Sequence, residues 1–168
     1  MSEKVDYTVG EWNTLKMGAV AAGALVMAAS PSGSRGQTKE RTAMRASGAA
    51  ALQQVKPGTL LSALVAEVMA ALSSESEPGL ELRREIDAVQ KLDSAGLLNL
   101  IREAAAILAA KGTPDEASGY QSILMAVARD AAGAARENTV LGLGGELISP
   151  SEQSALDQLA EVLSTPAG

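Results

Sequence analysis

The stretch MGAVAAGALVMAA, residues 17–29, restricts the possible folds more than any other part of the chain. It carries no charge and no polar side chain. As a helix it would fall well short of the ~30 Å hydrocarbon core of a bilayer. Ala, Leu and Met favour helix, and a helix that is apolar all round must be covered by neighbours. The residues ahead of it carry Glu3, Asp6 and Glu11 beside only Lys4 and Lys16, and include Trp12. That is a poor match to the basic leader of a secretory signal. The run therefore reads as a buried helix. A signal or membrane-associated segment is the alternative, no stable membrane insertion is expected, and the cytoplasm is the default location.

Helical punctuation continues along the chain. Thr8 with Glu11 three residues later forms a capping-box pattern, which predicts a helix over 9–29 that stops at Ser30-Pro31. A turn at 30–36 leads to a second helix over 37–54. The segment 57–73 has apolar residues at 61, 64, 65, 68, 69 and 72, a helical spacing. A polar loop at 73–79 and a short charged helix over 80–90 follow. Asp93 or Ser94 can cap a helix over 94–111, with Gly112 as its C′ residue. Thr113-Pro114-Asp115-Glu116 is a strong helix start, with Pro at the first position and acids near the positive end of the dipole. That helix is expected to reach 137. A loop over 138–148 and a last helix over 150–164 complete the chain. No segment alternates convincingly with period two. The expected fold is all-α: one domain over 1–168, a bundle of about seven helices.

Composition narrows the chemistry. Among 168 residues there is no Phe, one Trp and two Tyr, so Ala, Leu, Val and Met must fill the core and helices must approach closely. There is no Cys and no His. Disulfides, thiolate sites and cysteine nucleophiles are excluded. The commonest general base is missing too, so no serine has an imidazole to activate it. Any metal would be a hard ion such as Mg²⁺ or Ca²⁺, held by oxygen ligands. The net charge of −6 is uneven. Residues 1–60 hold seven Lys/Arg and four Asp/Glu, a net of +3, while 61–168 hold seven and sixteen, a net of −9. The acidic total and few aromatics disfavour nucleic-acid binding.

Three candidate sites follow. Gly142 and Gly144 open a glycine loop, but position 147 is Leu and no P-loop lysine follows, so a structural turn is preferred to a nucleotide site. Asp130, Glu137 and Glu146 could gather around a divalent cation at the mouth of that loop; the alternative is a solvated acidic surface. Arg35, Lys39, Arg41 and Arg45 form two adjacent stripes on the expected second helix, a candidate patch for an anion, an acidic partner or a sister subunit. The alternative there is a solvated basic face.

The two ends of the chain look duplicated. TVGEW (8–12) matches TPDEA (113–117), each opening a long Ala-rich helix, and KERTAM (39–44) parallels SEQSAL (151–156). This order predicts two helical hairpins related by a pseudo-twofold axis. The arrangement resembles the bacterial tellurite-resistance TerB-like domains, whose hairpin loops read roughly Ala-x-x-Asp-Gly-x-Ile-Ser-x-x-Glu. In GGELISPSEQSALDQLAEVL (144–163), Gly145, Glu146, Ile148, Ser149 and Glu152 fall in that pattern. In AASPSGSRGQTKERTAM (28–44), Gly33 and Glu40 do. Ser32 and Gly144 stand where the pattern has aspartate, which puts any metal capacity of the family in doubt for this chain.

The resemblance implies a non-enzymatic accessory protein in stress or tellurite resistance. It would act through protein contacts, and, separately from the resemblance, an Ala-rich apolar surface beyond the core's needs would make it a homodimer. No organic cofactor is expected, and a weak site for Mg²⁺ or Ca²⁺ is left open. The alternatives are a metal-dependent enzyme built on clustered carboxylates and a helical structural or assembly protein.

Overall fold

The computed structural model describes residues 2–29, 46, 50, 55–73, 76–134 and 148–164. The described residues are helical, with no strand among them. A 3-10 turn at Lys4–Asp6 precedes α1 (Val9–Ala29), α2 (Leu60–Ser73), α3 (Glu77–Val89), α4 (Ser94–Lys111), α5 (Pro114–Ala134) and α6 (Pro150–Ser164). Six α-helices are thus described where about seven were expected. The missing one, over 37–54, lies outside the described residues apart from Ala46 and Ala50, both helical and exposed.

α1 lies at the centre and packs against each of the other five helices, most extensively α4 and α5. Every residue from Val20 to Val26 is buried. Seven consecutive buried residues cover all sides of a helix, so α1 must be enclosed, as its uniformly apolar sequence requires. Small side chains permit the close approach. A Cβ on Gly18 would meet the Tyr120 hydroxyl at 2.2 Å and the Ala104 Cβ at 2.8 Å. That space lets the buried Tyr120 hydroxyl donate to the Leu15 carbonyl at 2.7 Å. Burial raises the phenol's pKa, because phenolate would lose its water there. No helix of the described residues is long and apolar enough to cross a membrane.

The helix starts follow the capping signals. Thr8 N–H donates to Glu11 Oε2 at 2.7 Å, and Glu11 N–H donates to Thr8 Oγ1 at 3.2 Å. Thr113 and Glu116 repeat the exchange at 2.8 and 3.2 Å. Ser149 and Glu152 do so at 2.9 and 3.3 Å. Each box satisfies two backbone donors that a helix start would leave orphaned. Asp93 caps α4 by accepting from Gly96 N–H at 2.8 Å.

Two boundaries depart from expectation. α3 begins at Glu77 rather than near residue 80, because Pro78 occupies the first turn, where its missing N–H costs nothing. Residues 77–79 are therefore helix and not loop. Gly112 closes α4 with an extended backbone (φ −84°, ψ 172°) rather than as a left-handed C′ residue. Glycine is needed there for space: a Cβ would meet the Leu108 carbonyl oxygen at 2.7 Å.

Candidate functional site

Of the residues expected to bind a cation, Asp130 is described, exposed near the C-terminal end of α5. Glu137 and Glu146 lie outside the described residues, as do Arg35, Lys39, Arg41 and Arg45. The glycine loop is likewise outside them, apart from Ile148, which packs against the core. Among the described residues no group of three or more Asp or Glu side chains is placed to hold a metal ion.

What the fold does bring together is a charged and aromatic cluster where residues 2–8 meet the middle of α2 and the ends of α4 and α5. It begins with two isolated charges. Lys16 is the one charged residue between Trp12 and Ala29, and Glu67 the one charged residue of α2. A charge on an apolar helix needs a partner once it leaves water. α1 and α2 bring Lys16 Nζ to 3.8 Å from Glu67 Oε2. The Trp12 indole N–H donates to the same oxygen at 2.8 Å, and the Lys4 ammonium bonds Oε1. Burial pushes the Glu67 carboxyl up, but the Lys4 and Trp12 hydrogen bonds and the two ammonium charges outweigh it and hold it below the usual range.

A second carboxylate has the same form. Lys111 Nζ donates to Glu11 Oε2 at 2.7 Å and to the Asp6 carbonyl at 3.2 Å. Chiefly through the Lys111 hydrogen bond, aided by Thr8, the Glu11 carboxyl is lowered to about 2. The lysines also flank an aromatic pair. The Tyr7 and Trp12 ring centroids are 6.1 Å apart, tilted at 52°. Lys111 Nζ sits 5.7 Å from the Tyr7 ring and Lys4 Nζ 5.3 Å from the Trp12 ring, within cation–π range. The order is cation, ring, ring, cation, each cation anchored by its own glutamate.

Glu116 completes the cluster. Ser2 donates to it twice, N–H to Oε1 at 3.2 Å and hydroxyl to Oε2 at 2.6 Å, and the Tyr7 hydroxyl reaches Ser2 Oγ at 3.4 Å. Burial again raises this carboxyl, and the Ser2 and Thr113 hydrogen bonds bring it below its ordinary value. All three glutamates are engaged as acceptors. Chemically the cluster is a brace that ties the approach to α1 onto three other helices. Its sequence signal was the pair of lone charges, Lys16 and Glu67, each on an otherwise uncharged helical face.

Comparison of the chain with protein family models, with characterised proteins and with solved structures yields no match.

Proposed function

We propose that the chain is a non-enzymatic accessory protein of the TerB-like type, acting through protein contacts, its two ends folded as helical hairpins related by a pseudo-twofold axis within one bundle. The supporting observation is an exchange of contacts between two matched helix starts. α1 and α5 both open with a Thr-x-x-Glu box of nearly equal bond lengths. The residue leading into each helix then bonds the capping glutamate of the other. Lys111, ahead of α5, bonds Glu11, and Ser2, ahead of α1, bonds Glu116. The exchange runs in both directions, with Lys111 two residues before Thr113 and Ser2 six residues before Thr8. Two helices that merely share a capping pattern have no reason to bond crosswise.

In this reading Asp130, Glu137 and Glu146 are the candidate weak site for Mg²⁺ or Ca²⁺. The basic residues Arg35, Lys39, Arg41 and Arg45 face an acidic partner or a second copy in a homodimer. The test is a deletion of the gene in its own host, with tellurite tolerance measured as the inhibitory concentration. Tolerance should fall on deletion and return with the wild-type chain. Unchanged tolerance would sink the TerB-like reading. Calorimetry with Mg²⁺ and Ca²⁺ on the wild type, Asp130→Asn and Glu146→Gln then separates the two modes. A heat lost in both variants assigns the cation site, and no heat leaves protein contacts alone.

A further inference from the structure

We propose that residues 2–7 are a detachable strap, held across the middle of α2 and the ends of α4 and α5 by charge and hydrogen bonding, which lifts off as a unit and uncovers Trp12 while the helices stay folded. The argument is one of contrast between two kinds of attachment. The helical core is held by apolar burial. The strap contributes one buried apolar side chain, Tyr7, and points Val5 into solvent at 83% exposure. Its remaining attachments are polar: Ser2 to Glu116, Lys4 to Glu67, and the Asp6 carbonyl to Lys111. Interactions of that kind weaken with salt and with protonation, whereas burial of Leu, Val and Ala does not. Segments with few buried apolar contacts are also the ones that open locally below the global unfolding free energy.

The strap covers something worth uncovering. Trp12 is 3% exposed. The strap supplies the Tyr7 ring on one side of it and the Lys4 ammonium on another. Lifting the strap removes both and turns a covered indole, with Glu67 and Lys16 beside it, into an exposed amphipathic spot.

The charged groups facing the strap set the direction of the switch. Lys16 and Glu11 face it from α1, Glu67 from α2, Lys111 from α4 and Glu116 from α5; Glu3, Lys4 and Asp6 lie on the strap itself. Glu67 and Glu116 have carboxyls held below their ordinary value in the closed form, in part by Lys4 and Ser2 of the strap itself. Groups shifted down in this way favour closure fully above about pH 4.5 and lose that contribution as the pH falls below it. The strap is closed at neutral pH and opens in acid.

Trp12 is the only tryptophan, so acrylamide quenching of its fluorescence reads strap opening without a label. The quenching constant should rise at least fivefold between pH 5 and pH 2, at pH values where ellipticity at 222 nm still equals its neutral value. In the double variant Glu67→Gln/Glu116→Gln the rise should be present already at pH 7, with ellipticity unchanged. A quenching constant that stays flat, or that changes only together with ellipticity, overturns the proposal. The wild-type titration decides this whether or not the double variant folds.

Discussion

At the scale of single residues, Gly18 and Tyr120 act as a pair. The glycine leaves room for the phenol to reach the Leu15 carbonyl, so α1 and α5 meet through one buried hydrogen bond. Gly18→Ala gains about 1 kcal/mol of helix propensity. It also drives a methyl into the Tyr120 hydroxyl and the Ala104 Cβ, and overpacking of this kind costs about 1–3 kcal/mol, with the displaced buried hydrogen bond adding about 1–3 kcal/mol. The expected net loss is about 2 kcal/mol by urea unfolding. The loss should be smaller in a Tyr120→Phe background, where the clashing oxygen is gone, and equal losses in the two backgrounds would disprove the pairing. The buried phenol also sets an alkaline limit. Its folded pKa is raised, so its contribution is complete below about pH 10 and is lost as the pH rises further. Tyr120→Phe should therefore show a weaker fall in stability between pH 9 and 11 than the wild type.

At the scale of elements, capping accounts for where the helices begin. Removing the side-chain oxygen from one capping box should cost about 1 kcal/mol, so Thr8→Ala and Ser149→Ala are each expected to lower urea stability by about that much. Thr113→Ser should be nearly silent, since it keeps the hydroxyl. A loss as large as that of Thr8→Ala would mean the Thr113 methyl, not its cap, matters. These starts were legible in the sequence because a box is a local arrangement of side chains three residues apart. α1, α4 and α6 start where expected, at 9, 94 and 150, and α4 also ends as expected at 111. The start of α3 was misplaced because acidic and proline-rich stretches read as loop until Pro78 is recognised as a first-turn residue. Gly112 was assigned the right role by the wrong conformation, since the Leu108 carbonyl that excludes a side chain there is not visible in a residue string.

At the scale of the whole molecule, the enclosure of α1 by five helices predicts a gradient of opening. Amides of Val20–Val26 should exchange with solvent only through global unfolding, so their protection should match the free energy from urea. Amides of Asp6 and Tyr7, which bond only the Glu3 and Lys4 carbonyls of the same short turn, should exchange far faster at neutral pH. Equal protection of the two sets would show that the N-terminal segment belongs to the cooperative core. The candidate site divides along the same line. Asp130 could be nominated as a surface acid from its position on a helix, whereas the Lys4–Trp12–Glu67 and Ser2–Glu116 contacts join residues up to 114 positions apart.

The sequence by itself determined that the described chain is helical, that most of the apolar run from Met17 to Val26 is buried, and where most helices start, because propensity, apolar patterning and capping act within a few residues. The tertiary structure decided which helix lies at the centre, and it decided what became of the lone charges. Lys16 and Glu67 each signalled a missing partner. Only the packing of α2 against α1 brings them within 3.8 Å, with Lys4 and Trp12 closing around the same carboxylate. Distances of this kind depend on how helices dock, which no local pattern encodes.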